Sequence, residues 1–311
     1  MRPLVLLPLV AACGGGAPST PVAAPVSSSA AAASSAPPPA GVVRILVGGD
    51  SRDDSSHVVP WAFREAQLRG ASAFLFLGDM EITPQLDAAF VRQLEALGPV
   101  PFYPVLGNHE IKTFGFMSVG VGGAERAFRA RFLGTPRTPV RSGLPDRIVY
   151  SADLPGGVHF VALDNVTENG FGAAQLAWLA DDLAKASADP STKHVIVGMH
   201  KPLAKNGVST HGMDKDGPGA AADSDAALAL FRKSRVSLVL ASHVHQFAKF
   251  DEAGIPAYIT GGLGAPLDRA GPDHAFHHFL QLDVTDDAIQ VSVVRFGGTQ
   301  AMAQQGEPED D

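Results

Sequence analysis

Five apolar runs in this chain each end in residues able to hold a cation or move a proton. Val42 to Val47 leads into Gly49-Asp50, Ala73 to Leu77 into Gly78-Asp79, and Phe102 to Leu106 into Gly107-Asn108-His109-Glu110. His194 to Gly198 leads into Met199-His200, and Val236 to Ala241 into Ser242-His243-Val244-His245. Each run has the length and apolar content of a strand buried on both faces. Open α/β sheets take their ligands outside the C-terminal ends of such strands, so two Asp, one Asn and four His are delivered to one kind of position. A lone Gly-Asp is usually a turn, because Asp bonds its own backbone there; turn chemistry does not explain a repeated pattern. Asp, Asn and His together supply oxygen and nitrogen donors suited to Zn, Mn or Fe. Two such cations side by side clamp the attacking and leaving oxygens of a displacement at phosphorus and acidify a bound water.

Helical patterns separate the first runs. Trp61-Ala62-Phe63 with Ala66 and Leu68 follows the first, and Leu86, Phe90, Leu94 and Leu97 fall at helical spacing after the second. Ala124 to Phe132 reads as a solvated amphipathic helix, and Ala173 to Ala186 as another helix. Arg147–Asp153 with Val158–Asp164, Phe247–Phe250 with Pro256–Thr260, and His278–Val284 with Ala288–Phe296 read as hairpins. A βα run that closes in antiparallel strands predicts two sheets face to face with helices outside. The stretches 111–123 and 205–219 read as loops bordering the strand ends, the second carrying His211 over the site. Gly261-Gly262-Leu263-Gly264 follows a strand but opens no helix, so it reads as a loop passing close to the same edge. His159 and His194 read as core histidines, and His274, His277 and His278 as a surface cluster.

The ordered set Gly-Asp, Gly-Asp, Gly-Asn-His-Glu, His and His-x-His resembles the calcineurin-like metallophosphoesterase superfamily over about Val42 to Phe296. Tyr150-Ser151, Val158 to Asp164 and Met199-His200-Lys201-Pro202 are similar to the purple acid phosphatase branch. The resemblance implies a four-layer αββα sandwich of two mixed β-sheets flanked by helices. It also implies two divalent or trivalent ions (Mn, Fe or Zn), with Asp79 bridging them, Asn108, His200 and His243 completing one site, and Asp50 and His245 in the other. By the same motif match His109 protonates the leaving oxygen or steadies the pentavalent phosphorus, a role suited to a pKa near working pH, and Glu110 orients the ligands from behind. Asn108, His109, His211 and Arg52 are the candidate substrate contacts. The implied activity is hydrolysis of a phosphomonoester or phosphodiester by metal-bound hydroxide. The first motif departs from the family pattern: Asp50-Ser51-Arg52 stands where Asp-x-His is usual. A guanidinium has no lone pair for a cation, so the first site is weak, more open, or completed by water and substrate. Arg52 either faces the phosphate as part of the catalytic set or pairs with Asp53 or Asp54. His57 is a substitute ligand at unfavourable spacing.

Residues 1–12 have the charged start and short apolar core of a secretory signal. Val10-Ala11-Ala12-Cys13 is similar to the lipobox of bacterial lipoproteins, which predicts acylation of Cys13 and an exported protein held at a membrane surface of the cell envelope. Cys13 is the only cysteine, so intramolecular disulfides and cysteine-built zinc sites are excluded. Residues 13–41, rich in Ala, Pro and Ser, predict a flexible linker; 42–297 is the metallophosphoesterase domain, and 298–311 an acidic disordered tail. A net charge of −8 argues against nucleic acid and leaves a small phosphate ester as the substrate. The competing reading is a ligand-binding lipoprotein of the same fold, catalytically impaired or holding one metal, motivated by Arg52. A purely structural surface protein does not account for the polar set.

Overall fold

A computed structural model describes residues 25–29, 36–54, 56–80, 84–115, 120–168, 170–203, 211–268 and 271–297. In chain order the elements are β1 (Val26–Ser29), β2 (Val43–Gly48), α1 (Val58–Leu68), β3 (Ala73–Phe76), α2 (Pro84–Glu95), β4 (Phe102–Pro104), α3 (Asn108–Gly115) and α4 (Gly120–Phe132). There follow β5 (Ser142–Gly143), β6 (Tyr150–Leu154), β7 (Val158–Ala162), α5 (Gly172–Ala188), β8 (His194–Gly198), a 3-10 turn (Met213–Lys215) and α6 (Pro218–Lys233). Strands β9 (Val236–Ala241), β10 (Phe247–Glu252), β11 (Ile255–Thr260), β12 (His278–Val284) and β13 (Ile289–Arg295) complete the fold.

The first sheet has the order β1-β13-β12-β2-β3-β4 and the second β10-β11-β9-β8-β7-β6-β5. Both are mixed. In each, the strands that precede the polar motifs are parallel neighbours: β2, β3 and β4 in one, β8 and β9 in the other. Alternation along these strands builds a core on both faces of each sheet. Ile45, Val47, Leu75, Ile196, Leu238 and Leu240 pack between the sheets. Leu46, Phe74 and Phe76 face outward against Phe63 of α1, Phe90 of α2 and Phe128 of α4. On the far side Val195, Val197 and Val239 meet Leu179 and Leu183 of α5 and Ala227 and Phe231 of α6. The layers are therefore helix, sheet, sheet, helix, as the motif resemblance implies.

Several expectations need correction. Part of the 13–41 linker is ordered: β1 pairs in parallel with β13, with Val26 opposite Ile289 and Ser29 opposite Ser292. Side-chain composition missed this because the stabilisation is backbone hydrogen bonding to an otherwise open sheet edge. The segment just before β2 is fastened as well, with Arg44 Nη1 donating to the Ala36 carbonyl at 2.5 Å and the Val42 amide to Pro39 at 3.1 Å. The stretch 111–123 is not a plain loop: α3 runs to Gly115 and α4 begins at Gly120. From Pro218 onward the second stretch is the start of α6. His277 and His278 are buried, not a surface cluster; His278 donates to the Phe276 carbonyl and takes a hydrogen bond from Thr260. Residues 1–12, Cys13 and 298–311 lie outside the described residues.

Candidate metal centre

The C-terminal ends of the parallel strands of both sheets bring their polar residues together. Ligand atoms of Asp79, His200 and His243 lie within 4.8 Å of one another, as do those of Asp50, Asp79 and His245. Asp79 belongs to both groups, and Asn108 Oδ1 lies 2.9 Å from His200 Nε2 beside the first. Asn108 opens α3 and the other residues lie just past β2, β3, β8 and β9, so neither sheet alone forms the cluster.

Left-handed turns aim the ligands. Asp50 and Asp79 have φ 58° and His243 φ 70°, a conformation that costs a non-glycine residue about 1–3 kcal/mol. Hydrogen bonds hold these turns. The amides of Ser51 and Arg52 donate to the Asp79 carbonyl at 3.1 and 3.0 Å, and the Asp50 amide to that of Gly78 at 3.0 Å. Glu110, buried behind the cluster, accepts from the amides of Gly107 at 2.7 Å and Asp79 at 3.0 Å. The His109 amide in turn donates to Asp79 Oδ1 at 2.9 Å. Gly107 is required by this crossing: a Cβ there would sit 2.2 Å from the Asp79 nitrogen. At Gly78, φ is 93° and a Cβ would lie 2.7 Å from His200 Nδ1.

Ring orientation follows from backbone carbonyls. His200 donates Nδ1–H to Leu77 at 2.8 Å, which turns Nε2 toward Asn108 Oδ1, Asp79 Oδ1 at 3.3 Å and His243 Nδ1 at 3.2 Å. His245 donates Nδ1–H to Pro266 at 2.6 Å and places Nε2 3.5 Å from Asp50 Oδ1. A carbonyl fixing one ring nitrogen so that the other is presented is how metal-ligating histidines are held. Three lone-pair atoms thus converge around His200 Nε2, an arrangement that demands positive charge. Burial opposes a charged His200, yet the Asp79 carboxylate outweighs it and raises the ring to about 9. Burial and the neighbouring His200 charge push His243 down to about 2. Asp79 feels burial too, but the charges of His200 and His109 leave it well below the usual carboxylate range. Burial first, and then the Asp79 charge, raise Glu110 to about 7. Asp50 Oδ1 is buried with no hydrogen-bond partner. The donor set and this orphaned oxygen fit a pair of cations that share Asp79.

Around this cluster stand the other predicted residues. His109 lies at the rim, 20% of its side chain exposed and Nε2 3.8 Å from Asp79 Oδ2. The exposed His211 ring is 6.0 Å from that of His243. It is carried by a segment fastened where the Met213 and Asp214 amides donate to Pro202 and Leu203. Arg52 is half-buried and belongs to neither ligand group, and His57 is exposed at the start of α1, outside both. Asp54 is engaged elsewhere, accepting from the Val58 amide at 2.8 Å and Gln93 at 2.9 Å. Lys201 is turned to Asp216, 2.5 Å away. Gly261 of the glycine-rich loop passes so close that a Cβ would fall 2.7 Å from Asp50 Oδ2. Sequence reasoning did not assign Ser242, which donates its hydroxyl to Asp50 Oδ2; its place beside His243 was the only signal.

Stacked mixed sheets with two acid-imidazole groups joined by one carboxylate define a class of metal-site α/β proteins. The calcineurin-like phosphoesterase model matches residues 43–247, and the chain belongs to that family. Purple acid phosphatase 23 of Arabidopsis thaliana is 30% identical over 201 residues, covering 62% of this chain and 40% of that protein. The structure of purple acid phosphatase PPD1 from yellow lupin (Lupinus luteus) seeds superposes with a TM-score of 0.62 at 18% identity, over 88% of this chain and 54% of that one. The chain therefore spans about half the length of these relatives. GAP50, described as the anchor in the inner membrane complex of Plasmodium, has the same fold, with a TM-score of 0.58 at 13% identity over 86% of this chain and 87% of that one.

Proposed function

We propose that the protein is a phosphoric ester hydrolase that uses two divalent or trivalent metal ions. The observation that carries this reading is the convergence of Asp50, Asp79, Asn108, His200, His243 and His245 in one cluster, with Asp79 common to both groups. When bound, the ions supply charge neutralisation for the phosphoryl group and an acidified water. Asp79 would hold both cations, and Glu110, which accepts from its amide and from that of Gly107, fixes its backbone. In this reading His109 gives a proton to the departing oxygen, which its partly exposed ring, with Nε2 3.8 Å from Asp79 Oδ2, supports. Arg52, whose amide donates to the Asp79 carbonyl, and His211, whose ring lies 6.0 Å from that of His243, are the proposed contacts for the rest of the substrate.

The test is hydrolysis of an aryl phosphate and a bis-aryl phosphate by protein supplied with Mn, Zn or Fe. Turnover by the wild type and its loss in Asp79→Ala are expected; equal behaviour of the two proteins rejects an enzymatic role. A second reading, a binding module holding one ion at Asn108, His200 and His243, is favoured by the non-ligating Arg52. A family fold also serves as an anchor in GAP50, and fold alone does not set function. Metal analysis separates them: two ions per chain support hydrolysis, one supports the binding module. We also propose export and acylation at Cys13, on the pattern of residues 1–13. Mass spectrometry of the mature N-terminus reads it directly, an unmodified Cys13 being the contrary result.

A further inference from the structure

We propose that Ser242 is a positioning residue for the ion held by Asp50, Asp79 and His245, an inference that rests on the two-ion reading above. The Asp50 carboxylate divides its oxygens. Oδ2 accepts both the Ser242 hydroxyl and the His243 amide, the latter at 2.7 Å. Oδ1 takes no hydrogen bond, is buried, and lies 3.5 Å from His245 Nε2. Two donors on one oxygen fix the carboxylate plane and leave the other oxygen as the ligand atom. A carboxylate without them is free to rotate about its terminal torsion, which has broad wells.

Ser242 is itself immobile. It is fully buried at the end of β9, and its amide donates to the His200 carbonyl at 2.8 Å. Gly49 leaves the room its hydroxyl occupies, because a Cβ at that position would lie 2.2 Å from Ser242 Oγ. Ser242 and His243 thereby brace the Asp50 group against the His200 and His243 group through one carboxylate oxygen. The brace matters more here than in a site rich in ligands. Arg52 offers no lone pair, so the geometry of Asp50 decides how well this position is held.

Loss of an outer hydrogen-bond partner of a ligand typically weakens metal binding about 10–100-fold. Titration calorimetry of the full chain with Mn2+, paired with the electron paramagnetic resonance signal of a coupled Mn pair, reads this out. In Ser242→Ala and Ser242→Cys, which remove the donor or weaken it, one of two binding steps is expected to weaken by about that factor and the coupled signal to fade. Ser51→Ala is the control. Ser51 is equally buried and adjacent, its hydroxyl has no hydrogen-bond partner, and its truncation is expected to leave both steps unchanged. Wild-type affinities for both ions in the two Ser242 variants overturn the inference and leave the hydrolase reading standing. Equal weakening in Ser51→Ala also overturns it, as a general packing effect. A wild type that binds a single ion overturns the two-ion reading and this inference together.

Discussion

His109 differs from the ligands in being partly open at the rim, while its amide is tied to Asp79 Oδ1 at 2.9 Å. Its backbone serves the cluster, and its ring is the proposed proton donor. Replacing the ring with His109→Gln is therefore expected to lower kcat by about 10²–10⁴-fold, the usual worth of a positioned proton donor. The number of ions bound per chain stays at the wild-type value, which parallel metal analysis checks. Glu110 acts at the same scale by another route. Its Oε2 joins two amides, those of Gly107 and Asp79, and so fixes where Asp79 stands.

At the scale of elements, the turn after β4 crosses the turn after β3 at Gly107. A methyl there would overlap the Asp79 nitrogen and approach its Oδ1 to 2.3 Å. Gly107→Ala is expected to cost about 1–3 kcal/mol, the range for overpacking a tight interior, and to loosen metal binding. Chemical denaturation and calorimetry measure the two effects. Between β6, β7 and α5 lies a second polar cluster, remote in sequence from the ligands. His159 Nε2 is 2.8 Å from Asp182 and Nδ1 is 2.9 Å from Asp153, with Arg141 Nη1 at 3.5 Å and Ser151 donating to Asp182 at 2.8 Å. Burial works against the imidazolium, but Asp182 and Asp153 outweigh it and raise the pKa. The fold thus prefers the charged ring. Its contribution is complete below the ordinary histidine value of about 6.5 and is lost as pH rises through the raised value. His159→Gln is expected to cost roughly 3–5 kcal/mol at pH 5, the range for breaking a buried pair. The difference from wild type shrinks in alkaline buffer, as denaturation series at the two pH values show.

For the whole molecule, the candidate ligands follow strands of both sheets, so ions bound at the proposed site would bridge the halves of the sandwich. Because the site exists only in the folded chain, Mn2+ at 100 times its Kd is expected to add about 2.7 kcal/mol of stability. A thermal scan with and without chelator checks this; identical transitions contradict a folded-state site. The same scale explains the ordered part of the linker. β13 has an edge, and Val26–Ser29 occupies it in parallel register, with Ser27 Oγ donating to Gln290 at 2.5 Å. Among the described residues no helix is long and apolar enough to cross a membrane.

Much of the fold was legible because strand length and apolar content are local properties: β2, β3, β8 and β9 fall where the runs Val42–Val47, Ala73–Leu77, His194–Gly198 and Val236–Ala241 predict. The polar motifs were legible for a related reason, since their types and their place after strands are written in order along the chain. Helix α6 was missed although Ala220, Ala227, Leu228 and Phe231 recur at helical spacing behind Pro218. Its glycine-rich approach read as loop. β1 carried no apolar pattern at all; its order comes from the β13 edge, a partner more than 250 positions away. Amino-acid type and order alone thus determined which donors the protein has and that they sit at strand ends. Tertiary structure alone decided which carboxylate oxygen of Asp50 is spent on Ser242 and which is left without a hydrogen bond, and that Glu110 serves the Asp79 backbone. Those are matters of direction and of distance between atoms remote in sequence, which only the packed sheets fix.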